Sequence, residues 1–384
     1  MSGLLDGTRV LEVAGIGPVS FAGHLLAGLG CDVVRIARPP GVGVARTDGD
    51  PFAAGRESVA IDLRLEAGRS AFLALVAVSD VLIEGLRPGA MERLGVGPEE
   101  CRATNDRLIY GRVSGFGRHG PWAARAGHDI NFLALSGGLW SIGPADRPPT
   151  PPLNVVGDYG GGALAMVVGV LASLVERASS GQGAVVDTSI LQGATSLFGL
   201  VFAGLARRGE PVGRPSALTL DILAGEAPFY RCYETLDGEF LAVGAVEPAF
   251  YDAFVRELGL ASDTLPDRDD PANWAALRAL FAERIAMHTR HDWADRFVSV
   301  DACVTPVLAP HEALVEPHNV ANRLFEHADH EGRPRAIVDI VGTETMAPPT
   351  TVDVITRWSV DPTHREAVTP TPGVVLGRSG SGRP

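Results

Sequence analysis

Three side chains in this sequence combine proton-transfer chemistry with a glycine-rich or helix-starting setting. They are His128 in GHDIN, Asp158 in GDYGGG and Glu247 in VEPAF. Imidazole titrates near neutral pH and can serve as base or acid. Asp158 precedes Gly160, Gly161 and Gly162 and then an apolar stretch. That order predicts a helix N-terminus, where the macrodipole favours carboxylate over acid. The glycines would let backbone approach a bulky ligand, and amide N–H groups beside them can hold a developing oxyanion. Each residue alone also has a plain structural reading. Asp158 could be an N-cap, His128 a core or turn residue, and Glu247, placed before Pro248, a helix cap.

Other motifs are weaker. GIGPVSFA (15–22) lies between a strand pattern and a helix pattern and resembles a dinucleotide fingerprint, with Arg38 near the end of the second strand. Pro18 interrupts the glycine pattern and the third glycine is absent, although a turn of this kind makes a helix N-terminus suited to phosphate. An NADP-dependent oxidoreductase is the reading this motif would support. No G-x-S-x-G stands in a strand–turn–helix setting. His288 and His291 have a ligand spacing but no third ligand nearby, so no metal site is expected.

Composition narrows the classes. All 33 basic residues are arginine, which removes a lysine Schiff base and a Walker-type lysine. With 46 acidic residues the formal charge is −13, so nucleic acid is not an expected partner and an anionic ligand needs a local basic pocket. Cys31, Cys101, Cys232 and Cys303 are scattered without a C-x-x-C pair, which suits a reducing cytoplasm; Cys303, in an apolar stretch, reads as packing rather than nucleophile. No basic region followed by a long apolar run opens the sequence, so no signal peptide is expected. Hydrophobic content of 46% supports a large core.

The first 120 residues alternate strands (RVLEVA, CDVVRIA, VAIDL, DVLIEGL, RLIYGRVSGFG) with helical segments, which predicts a parallel sheet with helices on both faces. Two apolar stretches in 160–206 fall short of a clean membrane-length run and read as buried helices, so stable membrane insertion is not expected. RRGEPVGRPSALTLDILAG (207–225) reads as a linker. FYRCYETLDGEFLAVGAV then reads as a hairpin turning at Asp237-Gly238, with helical patterns over 248–296. A large domain over 1–206, completed by about 327–370, a small domain over 226–326 and a tail over 371–384 follow.

SGFGRHGPWAARAGHDINFLALSG (114–137), PPLNVVGDYGGG (151–162), AVGAVEPAF (242–250) and VLIEGLRPGAMERLGVG (81–97) together resemble the family III CoA-transferase superfamily, and within it the α-methylacyl-CoA racemase branch. The resemblance runs from about residue 5 to about 326. R-P-G-x-x-x-R-L-G and S-G-F-G-x-x-G-P are superfamily-wide; His128 discriminates, since transferases usually carry an aromatic residue there. RPPGVG after the second strand also resembles the racemase branch.

The resemblance implies a Rossmann-like large α/β domain, a smaller α+β domain and an interlocked homodimer. It implies inversion of the centre next to a thioester carbonyl, with His128 and Asp158 as the two bases and Glu247 close to the histidine. It further implies that Arg38, Ile61, Asp62, Leu63, Arg64, Arg87 and Arg93 hold the nucleotide end of CoA, and that Ile16 is also among the residues that bind the substrate. Gly127, Asp129, Ile130, Asn131 and Phe132 would line the pantetheine and acyl part, with Asp129 contacting the CoA arm or fixing its loop. No separate cofactor is implied, since CoA belongs to the substrate. Apolar residues near Phe132 and Trp140 suggest a greasy acyl site. A family III CoA-transferase with Asp158 as nucleophile is the alternative.

Overall fold

Short β-branched runs followed by helical stretches can bury both of their faces only in a parallel sheet with crossover helices. The computed structural model, which describes residues 3–13, 15, 17–39, 52, 56–143, 147–208, 222–325, 334 and 353–370, has that architecture. Strands β1 (Arg9–Val13), β2 (Asp32–Ala37), β3 (Glu57–Ala60), β4 (Val81–Glu84), β5 (Ile109–Ser114) and β6 (Val185–Ser189) pair in parallel in the order β3-β2-β1-β4-β5-β6. A two-residue strand, Thr369–Pro370, adds antiparallel to β3.

The crossovers carry α1 (Pro18–Gly28), α2 (Glu66–Ala77), α3 (Ala90–Arg93), α4 (Pro98–Thr104) and α5 (Asp129–Leu135). They also carry α6, which runs unbroken over Val155–Ser180 and opens as a π-helix over Val155–Leu164. After β6 comes α7 (Ile190–Leu197).

Two cores flank the sheet. One contains Leu11, Val34, Phe72, Leu82, Tyr110 and Trp358, the last from the C-terminal segment. The other contains Val10, Val19, Leu26, Ile83, Phe132 and Met166. By length and composition α6 is apolar enough to cross a membrane, contrary to the shorter stretches expected from sequence, because its helix begins earlier, at Val155. Its Ala163, Met166, Val167 and Val170 are nevertheless buried in the second core, whereas Val168 and Val175 are exposed.

The chain divides into two units, one of Met1–Gly138, Pro151–Phe198 and Ala336–Pro384, the other of Leu139–Thr150 and Gly199–Arg335. The second unit therefore takes α8 (Gly199–Arg208) and a stretch before α6, both assigned to the large domain from sequence. It has its own antiparallel sheet of β7 (Tyr230–Glu234), β8 (Phe240–Gly244) and β9 (Val304–Pro306), with α9 (Pro248–Glu257), α10 (Trp274–Ile285) and α11 (Arg290–Phe297). The hairpin turns at Asp237-Gly238, where Gly238 has φ 76°. Most of the expected linker, the segment after 327 up to 352 apart from Pro334, and the tail from 371 lie outside the described residues.

β1 hides one feature that its apolar pattern conceals. Glu12 is fully buried between Arg35 of β2 and Arg56. Arg35 Nε donates to Glu12 Oε1 at 2.9 Å, and Arg56 donates to Glu12 Oε2 and, at 3.0 Å, to Ser20 on α1. Gly23 leaves the space for this cluster: a Cβ there would lie 2.0 Å from Glu12 Oε2. Breaking such a set leaves two buried cations without their anion. Glu12→Ala is therefore expected to cost about 3–5 kcal/mol in denaturant unfolding; a loss no larger than that of an average surface substitution would contradict this role.

Candidate active site

The carboxyl ends of β1, β2, β4 and β5 open onto a cavity of about 480 Å³, the place where open parallel sheets bind ligands. His128 and Asp158 both line it, as do Arg38, Arg87, Gly127 and Phe132. Local chemistry explains how two residues so distant in sequence arrive there. His128 is the N-cap of α5, in extended backbone (φ −124°), and its N–H donates to Asn131 Oδ1 at 3.0 Å. Asp158 lies in the first turn of α6, where Tyr159 N–H reaches back five residues to the Asn154 carbonyl at 3.2 Å. π-helical turns of this kind recur at functional sites.

Asp129 joins the two helices. It is 8% exposed, and its Oδ1 accepts the Asp158 N–H at 2.6 Å; the Gly157 N–H donates to the same carboxyl group. It thus satisfies N–H groups at the start of α6 that have no partner within the helix. A Cβ on Gly157 would lie 2.2 Å from that oxygen. The glycines expected to admit ligand backbone-close instead admit protein. Besides Gly157, a Cβ on Gly161 would lie 2.6 Å from the Ala194 backbone in α7, and one on Gly162 3.1 Å from Pro18. The dinucleotide-like turn likewise faces Asp158: Gly17 has φ 81°, and a Cβ there would lie 2.8 Å from Asp158 Oδ2.

The electrostatics of Asp158 reverse the expectation drawn from the helix dipole. Burial and the neighbouring Asp129 carboxylate push its pKa up to about 6, against a weaker lowering by Asn154 and His128. Desolvation and a like charge outweigh a half-charge at a helix end. Asp129 is also raised, by burial first, with the N–H groups of Asp158 and Gly157 opposing.

The remaining expected contacts divide. Arg38 and Arg87 are exposed on the cavity wall. Arg64, expected to hold the nucleotide, pairs with Asp62 at 2.7 and 2.9 Å and pulls that carboxyl down to about 2. Ile61 turns into the core at 2% exposure, and Leu63 packs against the same core. Arg93 is exposed and its guanidinium lies over Gly89, 2.9 Å from where a Cβ would sit. Ile130 is 43% exposed, and Asn131 caps α5 rather than lining the cavity. Ile16 lies outside the described residues.

Glu247 and Trp140 belong to the second unit, where Glu247 N-caps α9 ahead of Pro248. Cys303, expected to pack, is instead exposed with φ 52°. His288 lies edge-on to Trp293 and 3.1 Å from Arg296, and His291 faces Asp295 at 3.7 Å. Among the described residues no three His, Cys, Asp or Glu side chains cluster to hold a metal ion. The sequence reading missed Phe116 and Arg125 on the wall. Their signals were the aromatic in SGFG and a cation three residues before His128.

Residues 5–366 match CoA-transferase family III. The chain is 42% identical to the α-methylacyl-CoA racemase of Mus musculus over 82% of its own length and 81% of that protein's. It is 39% identical to the racemase of the same name from Homo sapiens, over 87% and 86% respectively. The crystal structure of a CAIB/BAIF family protein from Brucella suis shares the fold, with TM-score 0.79 and 23% identity over 94% of this chain and all of that one. The chain belongs to CoA-transferase family III and is an enzyme of that family.

The raised Asp158 has a consequence for stability. Ionising it costs the fold nothing below its ordinary value of 3.8 and the full amount above about 6. Asp158→Asn is therefore expected to gain about 1–3 kcal/mol at about pH 8 and little at about pH 4, read by denaturant unfolding. A gain of equal size at both pH values would contradict the shift.

Proposed function

We propose that the enzyme is a racemase that interconverts (2R)- and (2S)-2-methylacyl-CoA thioesters by 1,1-proton transfer. The observation that carries this reading is that one cavity is lined by two proton-transfer groups of different type, His128 and Asp158. An α-proton beside a thioester is a weak acid, and inversion requires a base on one face of the carbon and an acid on the other. One group takes the α-proton, leaving an enolate whose charge rests on the thioester oxygen. The other returns a proton to the opposite face. A carboxyl raised to about 6 suits the work, being a stronger base than an ordinary carboxylate and able to give its proton back near neutral pH. Backbone N–H groups at the start of α5, the helix that His128 opens, are assigned to the enolate oxygen.

Arg38 and Arg87 hold phosphate of the CoA part at the strand ends, as guanidinium forks do. Glu247 is assigned a supporting part in the proton transfer on the family resemblance. The enzyme works as a homodimer, which would cover apolar side chains exposed on α6 and α7, Val168, Val175 and Leu197 among them. It acts in the cytoplasm, in keeping with four free cysteines, and needs no cofactor beyond the CoA of its substrate. A CoA-transferase with Asp158 as nucleophile uses the same cavity; His128 is what favours racemisation.

The reading is tested by incubating a single enantiomer of a 2-methylacyl-CoA with the enzyme in heavy water, without an acceptor acid. Loss of optical activity with α-deuterium uptake is expected, and His128→Ala and Asp158→Asn should each lose most of it while CoA affinity survives. Acyl exchange that appears only when a free acid is added would establish the transferase instead.

A further inference from the structure

The cavity wall holds a third cation that the racemase mechanism does not use. Arg125 lines the cavity from the loop between β5 and α5, three residues before His128. Its guanidinium lies 4.5 Å from the Trp122 ring centre. Trp122 in turn packs on Phe116 at 5.3 Å, and Phe116 stands edge-on to Phe132 at 4.8 Å. Phe116 and Phe132 are buried and fixed: a Cβ on Gly127 would come within 2.9 Å of both rings. Arg125 is thus carried on an aromatic stack rooted in the cavity wall, so its position is defined although it is exposed.

Among the described residues no carboxylate pairs with it, and the charges acting on Asp158 are those of Asp129 and His128. It is therefore not the counter-ion of the catalytic carboxyl.

Its place in the sheet separates it from a nucleotide role. Arg38 follows β2, whereas Arg125 stands on the connection leaving β5, and the order β2-β1-β4-β5 puts three strand spacings between those strands. At about 4.8 Å per spacing the two strand ends lie about 14 Å apart. Of the two phosphate arginines, Arg87 follows β4, the strand next to β5, so Arg38 alone marks the far side; CoA phosphate held there is separated from the thioester by the pantetheine arm. The β5 side, with His128 and the two phenylalanines, is left for the acyl group. We propose that Arg125 is a specificity-determining residue that binds an anionic group on the acyl chain, so that the cavity takes 2-methylacyl-CoA esters whose chain ends in a carboxylate.

This inference rests on the racemase reading, and the test separates the two. A 2-methylacyl-CoA ending in a carboxylate and its methyl-ended analogue of equal length are compared by α-deuterium exchange and by calorimetric affinity, in the wild type and in Arg125→Gln. The wild type is expected to favour the carboxylate ester, and the variant to lower that preference by about tenfold in kcat/KM and in affinity, the size of one charge-assisted hydrogen bond. Arg125→Lys should keep part of the preference. An equal loss on both esters that vanishes with their 3′-dephospho-CoA forms would assign Arg125 to a CoA phosphate and overturn the proposal, as would a preference left unaltered by the substitution. Absence of exchange with either ester, with the affinity preference present and lost in the variant, would refute racemisation while supporting the anion subsite.

Discussion

The arrangement depends on one carboxylate that transfers no proton in the proposed reaction. Asp129 reaches from the first residue of α5 to the backbone N–H groups of Gly157 and Asp158 at the start of α6. A buried hydrogen bond from an N–H to an ionised acceptor is short and strong, and each group would be costly to leave unmade. Two helices of the same crossover, from β5 to β6, are thereby fixed N-terminus to N-terminus, with His128 immediately before one tie and Asp158 at the other. Gly157 is the sequence requirement that goes with it, since a side chain there would occupy the space of the carboxylate.

The same contact sets the electrostatics. Asp158 cannot be brought beside Asp129 without feeling a like charge, and the turn that holds it also removes it from water. Both effects disfavour its ionised form, which is how a carboxylic acid is brought toward the pH at which it can both accept and release a proton. Scaffold and reactivity here follow from a single placement, at the expense of stability at neutral pH.

Much of this was legible in the sequence. The strands whose residues are buried on both faces announced themselves as apolar runs, and Asp237-Gly238 announced a hairpin. β6 did not, because it is an edge strand whose Val185 and Asp187 are exposed. Long-range polar pairing left no local signal. Glu12 sits in an apolar run and makes sense only beside Arg35 and Arg56, 23 and 44 residues onward. The bond from Asp158 to Asp129 spans 29 residues, so GHDIN and GDYGGG read as separate motifs, and the dipole argument was applied to Asp158 without its neighbour. Arg64 looked like a phosphate ligand by position, but Asp62 two residues earlier takes its guanidinium. Motif position located the cavity; which side chains enter it was decided by pairings that only the folded chain displays.

The most direct measurement is a titration of the Asp158 carboxyl carbon by NMR in the ligand-free enzyme, assigned by its loss in Asp158→Asn. A midpoint near 6 is the result expected of a carboxyl desolvated and held against Asp129. A midpoint at or below about 4, that of an ordinary carboxylate, would show that the two groups are not placed as described.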